Sequence, residues 1–168
     1  MKKLFLIAGL MIGLNLYTQA QSADKPFALN LGLEGALPLG SFGETHDFGF
    51  GGSLQGEYKP AEDLGLTLNA GYVTFSKETD SNNKSFGLVP VLAGAKYYIA
   101  KSNAYIHGQL GIGIPTDKDE ESAFMYSPGI GYMISEKVDI LAKYIGLSNK
   151  GEDTGSRNAI GVRIGYNF

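Results

Sequence analysis

From Asn158 to Phe168 the chain alternates strictly. Ile160, Val162, Ile164, Tyr166 and Phe168 are apolar, and Ala159, Gly161, Arg163, Gly165 and Asn167 between them are small or polar. A period of two predicts a strand with two unlike faces. The same pattern recurs along the chain. It predicts strands over Pro26–Leu37, Asp47–Lys59, Leu64–Phe75, Phe86–Ile99, Ala104–Ile114, Ala123–Ile134 and Lys137–Leu147, with the terminal strand as the eighth. The connections alternate in length. Polar stretches at PLGSFGETH, Ser76–Ser85, Pro115–Ser122 and Ser148–Arg157 alternate with short turns at Pro60–Asp63, Ala100–Asn103 and Ser135–Glu136. Such a meander predicts an all-β fold, an eight-stranded antiparallel up-and-down barrel with its long loops at one end.

Three features choose between a barrel that is oily inside and one that is oily outside. The less apolar face carries Gly32, Gly49, Gly51, Gly65, Gly71, Gly94, Gly111, Gly113, Gly129, Gly131, Gly161 and Gly165. A solvated surface would favour Lys, Glu and Thr there. A bore barely wide enough for side chains is instead relieved by glycine. Aromatic residues on the apolar face gather at its two ends, with Leu, Ile, Val and Ala between them. Phe27, Tyr58, Tyr97, Tyr132, Tyr166 and Phe168 lie toward the short turns, and Phe48, Phe50, Tyr72, Phe124, Tyr126 and Tyr144 toward the long loops. Paired girdles around an aliphatic band fit a wall between two lipid–water interfaces. Strands of roughly 10 to 13 residues, tilted, are long enough to cross the apolar layer. The expectation is a transmembrane barrel with glycine and linked charges along its axis. Pro90 and Pro128 are expected near the long-loop rim, where irregularity is tolerated.

The amino terminus sets the route. Lys2 and Lys3 precede an apolar run, Leu4–Leu14, and Tyr17-Thr18-Gln19-Ala20 offers small residues at cleavage spacing. That run is shorter than the roughly 20 residues a spanning helix needs, so residues 1–20 read as an export signal and 21–168 as the barrel domain. The whole chain has a formal charge of -3, and loss of the acid-free leader with its two lysines makes it more negative still. No electrostatic case for nucleic acid exists. With no cysteine there is neither a disulfide framework nor a thiolate metal site.

The candidate chemistry lies inside. Glu34, Glu57, Lys96, His107, Asp139, Lys143 and Arg163 share the inner face with Gln55, Asn69 and Gln109. Buried charges must be paired, so these are expected to form a structural network that fills the bore and leaves no diffusion channel. His46 lies near Ser41, Glu44 and Asp47, which would allow an acyl-transfer site at the rim, but neighbours in sequence do not make a triad. Asp117, Asp119, Glu120 and Glu121 lack the spacing and turn glycine of a calcium loop. No catalytic residue, cofactor or metal ligand is expected.

The stretches ALPLGSFG, FGFGGSLQGEYKP, LGLTLNAGYVTF and VPVLAGAKYY, with the terminal phenylalanine, resemble the small bacterial outer-membrane β-barrel family, in particular Bacteroidetes-type members in the company of OmpA-like and OmpX-like barrels. The resemblance implies an outer-membrane location. It also implies periplasmic chaperones and the barrel-assembly machinery as partners in biogenesis, with Tyr166 and Phe168 in the insertion signal. Long loops would face outward and both termini the periplasm. It carries no common active site. A structural or surface-contact role is the expected function; the alternatives are a lipid-modifying enzyme and a narrow port for small apolar solutes.

Overall fold

The computed structural model describes residues 26–77, 85–117, 120–148 and 157–168. The leader and its cleavage point lie outside the described residues. Eight antiparallel strands close into a barrel in sequence order: β1 (Phe27–Leu39), β2 (His46–Ala61), β3 (Leu64–Lys77), β4 (Phe86–Tyr98), β5 (Ala104–Pro115), β6 (Ala123–Met133), β7 (Val138–Ser148) and β8 (Arg157–Asn167). β1 pairs with β2 on one side and β8 on the other, so no edge is left among the described strands. The ladder of β8 stops at Asn167, but the Phe168 N–H still donates to the Leu29 carbonyl at 3.0 Å.

Register fixes the shape. The row of partners that starts at Leu29 passes through Gly56, Leu68, Ala93, Leu110, Tyr126, Gly146 and Asn158 and returns to β1 at Leu39, ten residues further on. With a rise of about 3.3 Å per residue and strands about 4.8 Å apart, that stagger tilts the strands by roughly 40°. The bore is therefore narrow, and successive inward side chains fall at different depths.

The two faces separate as the alternation predicts. Leu31, Leu33, Leu54, Leu68, Leu110, Ile130 and Ile164 are exposed on the outside, bounded by Phe27, Tyr97, Tyr132, Tyr166 and Phe168 below and Phe48, Phe50, Tyr72 and Phe124 above. Inside, the expectation needs correction. Charge occupies only the half of the axis toward the short turns, whereas inward glycines such as Gly49 and Gly113 also lie against the other half. The half toward the long loops is an apolar plug of Val73, Phe75, Phe86, Leu88, Leu92, Met125, Ile145 and Leu147. A 3-10 turn at Gly40–Phe42, reversed through a positive φ of 59° at Gly40, drops Phe42 onto this plug, 5.0 Å from the Phe75 ring and 5.7 Å from Phe86.

One of the two prolines also differs from expectation. Pro128 is the sixth of the eleven residues of β6, in mid-wall rather than at the rim. The β6–β7 ladder skips from Tyr126↔Gly146 to Gly129↔Lys143, while the β5 ladder runs unbroken through Gly108↔Pro128. At Pro90 the β3–β4 ladder skips from Ala70↔Val91 to Val73↔Leu88 in the same way. Register is unchanged across each gap, so each proline costs ladder bonds to one neighbour without a bulge.

Candidate functional site

Period two on eight strands brings every inward residue named from the sequence into one bore. All seven of Glu34, Glu57, Lys96, His107, Asp139, Lys143 and Arg163 are buried. Glu34 on β1 is the hub. It meets Lys143 Nζ at 2.8 Å and Arg163 Nε at 3.4 Å, and it accepts a 2.6 Å hydrogen bond from Ser53 Oγ. Arg163 donates to Ser53 Oγ at 3.0 Å and to Asn30 Oδ1. The Asn30 amide in turn donates to Asp139 Oδ1 at 3.0 Å and Asn167 Oδ1 at 2.9 Å. The other Asp139 oxygen accepts from the Tyr105 hydroxyl. Nearer the short turns, Lys96 Nζ pairs with Glu57 Oε2 at 2.8 Å, and the Tyr98 hydroxyl donates to Glu57 Oε1 at 2.6 Å. His107 Nε2 lies 3.0 Å from Thr67 Oγ1.

Three carboxylates thus face three cations, and the bore is electrically balanced with His107 counted neutral. Desolvation alone would make each charge costly; pairing and hydrogen bonds offset that cost. The bonds join β1, β2, β3, β4, β5, β7 and β8 inside the lumen, and most of them link strands that are not neighbours in the wall.

Strand parity places Asn30, Ser53 and Tyr98 inside but gives them no part in a charge network, and Tyr105 joins it unannounced. Tyr105 lies two residues before His107, so its parity already places it inside, but a tyrosine close to the short turns reads as girdle. Glycine supplies the room. An added Cβ at Gly32 or Gly165 would strike the Arg163 guanidinium, and one at Gly131 would strike the Tyr105 ring. Gly131→Val is expected to force Tyr105 off Asp139 and cost about 1–3 kcal/mol, the range for overpacking. Urea unfolding in vesicles checks this. In a Tyr105→Leu background the same substitution should cost clearly less, and an equal cost would disprove the contact as cause.

His46 Nδ1 is 2.9 Å from Thr45 Oγ1, and its ring packs 4.9 Å from Phe42 and 6.1 Å from Phe86. Histidine here caps the aromatic plug. Of the acidic loop, Asp117, Glu120 and Glu121 fall within the described residues and Asp119 does not. Glu120 takes a two-pronged salt bridge from Arg157, whose guanidinium lies 4.5 Å from the Phe86 ring centre. No group of three or more potential metal ligands occurs among the described residues.

Against known proteins, residues 6–168 match the family described as "Outer membrane protein beta-barrel domain". No curated protein matches the sequence. Among solved structures, Ail of Yersinia pestis in a phospholipid bilayer nanodisc is similar at a TM-score of 0.60 and 17% identity, over 84% of this chain and 99% of that one. Neisserial surface protein A gives 0.57 and 17%, over 86% and 98%. A de novo designed transmembrane β-barrel gives 0.56 and 15%, over 86% and 98%. At such identities the likeness shows the fold alone.

Proposed function

The chain belongs to the outer-membrane β-barrel family and is embedded in the outer-membrane bilayer, and from that premise we propose that it is a non-enzymatic structural barrel that presents its long loops for contact at the cell surface. The filled bore carries this reading. Paired charges and an apolar plug block the axis in series, so the parts left to work are the oily wall and the loops. Ail is named for attachment and invasion, and one of its structures is a complex with the heparin analogue sucrose octasulfate. Neisserial surface protein A is named for the surface. Both names agree with loops as the working part of this shape. On the same reading the leader is removed on export, chaperones and the assembly machinery deliver the barrel, and Tyr166 with Phe168, whose rings lie 5.1 Å apart, forms the insertion signal.

Two measurements test the proposal. Purified protein in planar bilayers is expected to give no conductance above leak, and defined channel steps would overturn the blocked bore. Lipid A from a deletion strain should have the same mass spectrum as lipid A from strains expressing the native chain or a His46→Ala variant. A lipid A species lost on deletion, restored by the native chain and not by the variant, would make the protein a lipid-modifying enzyme.

A further inference from the structure

The mouth of the bore at the long-loop end is built from residues that flank or belong to all four long connections. Phe42 comes from the 3-10 turn after β1, and His46 opens β2. Phe75, near the end of β3, and Phe86, at the start of β4, are direct ladder partners. Glu120 belongs to the segment between β5 and β6, and Arg157 opens β8. The β1–β8 ladder ends at Leu39↔Asn158, so the 3-10 turn leaves the wall beside Arg157. The rings form a cage with Phe42 inside it. Phe42 lies 5.0 Å from Phe75 and 5.7 Å from Phe86, in T-shaped contact with both, and 4.9 Å from His46. The Arg157 guanidinium lies 4.5 Å from the centre of the Phe86 ring, and both oxygens of Glu120 accept from it.

Two adjoining positions are thus filled, one by an aromatic ring among rings and one by a carboxylate on a guanidinium, and Phe86 borders both. The walls of the cage are strand residues, His46, Phe75, Phe86 and Arg157. The two fillers, Phe42 and Glu120, belong to no strand. The contents can therefore leave while every ladder stays intact. The turn that carries Phe42 reverses at Gly40, with a φ of 59°, and is closed by the Gly43 N–H on the Gly40 carbonyl at 2.9 Å and by Thr45 Oγ1 on the Phe42 carbonyl at 3.2 Å. The ion pair is 26% and 33% exposed on its two sides, so water screens it and lets it exchange. A molecule that takes both positions must bring a ring suited to edge-to-face packing and a carboxylate that matches the guanidinium fork. Exchange of one carboxylate for another also leaves the charge of the rim unchanged. We propose that the long-loop mouth is a binding site for a small aromatic carboxylic acid, walled by His46, Phe75, Phe86 and Arg157, in which Phe42 and Glu120 are tethered stand-ins for the ligand. The apolar plug lies beneath it, so the ligand is held at the surface and is not passed along the bore.

Tethered occupants lower the apparent affinity of a free ligand by the fraction of time they hold the site, so removing either one should tighten binding. The test uses the intact barrel in lipid nanodiscs with labelled phenylalanine rings, titrated with hydrocinnamate and followed by NMR. Saturable shifts of the Phe75 and Phe86 rings are expected in the native chain. Glu120→Gln, which frees Arg157, and Phe42→Ala, which vacates the ring position, should each lower Kd by about tenfold. Arg157→Gln should raise it by about tenfold, as should replacement of the acid by hydrocinnamyl alcohol, because each loses the charged fork. Glu120 is partly in solvent, so its variant folds even where Phe42→Ala does not. No saturable shift in either the native chain or Glu120→Gln would overturn the site. Alcohol that binds as tightly as the acid would overturn the carboxylate position. A Glu121→Gln control should leave Kd unchanged; tightening equal to that of Glu120→Gln would be a general effect of charge and would overturn Glu120 as a stand-in.

Discussion

Glu34→Leu should destabilise the barrel by about 3–5 kcal/mol, the cost of breaking a buried ion pair by removing one partner. Glu34 is the carboxylate that both Lys143 and Arg163 meet, at 2.8 and 3.4 Å, and both cations are buried. Arg163 keeps Asn30 and Ser53 as acceptors, so most of the penalty falls on Lys143. The effect is therefore asymmetric. Lys143→Met leaves Glu34 with Arg163 and Ser53 and should cost less than Glu34→Leu. The double variant should recover part of the loss, because it removes the stranded ammonium along with its partner. Reversible urea unfolding in lipid vesicles, followed by tyrosine fluorescence and gel mobility, measures all three. A double variant as unstable as the sum of the singles would mean that the pair is not coupled, and the lumen network would lose its hub.

The wall could be read from the residues because two-residue periodicity and the lipid solvent make the same demand. Each strand hides its backbone polarity in the ladder and turns one face to hydrocarbon, so parity alone sends Leu33 outward and Glu34 inward. A de novo designed barrel shares this shape at 15% identity, which is what a fold set by pattern would give. Depth was less legible. Which inward residues share a level depends on the ten-residue stagger, and no single strand carries that number. The apolar plug was missed for this reason: Val73, Leu92, Ile145 and Met125 come from four strands and meet only once the barrel has closed. The mid-wall place of Pro128 is hidden for a related reason. In mid-strand a proline loses bonds to one neighbour only, and a closed wall with intact pairing on its other side tolerates the gap. Phe42 lies in a loop, where periodicity has no hold, and its burial depends on the reversal at Gly40.

Leu33→Arg and Leu37→Arg, compared in one strand, should separate lipid from water as the solvent of the outer face. Both leucines belong to β1 and point outward, and their exposures are nearly equal, 60% and 58%. Leu33 is the central residue of the thirteen, while Leu37 lies two residues from the long-loop end, near the depth of the upper aromatic girdle. In water the two substitutions would be alike, each within about 0.5 kcal/mol of neutral, as exposed replacements usually are. In a bilayer the cost of an arginine depends on depth, about 2–4 kcal/mol at the midplane and about 0–1 kcal/mol near the interface. Leu33→Arg is therefore expected to lower stability in vesicles by roughly 2 kcal/mol or more beyond Leu37→Arg. Equal small effects would place both side chains in water and would undo the assignment of the exposed leucines to lipid. Equal large effects would point instead to packing against another protein surface, because a protein contact, unlike a bilayer, has no reason to follow depth along β1.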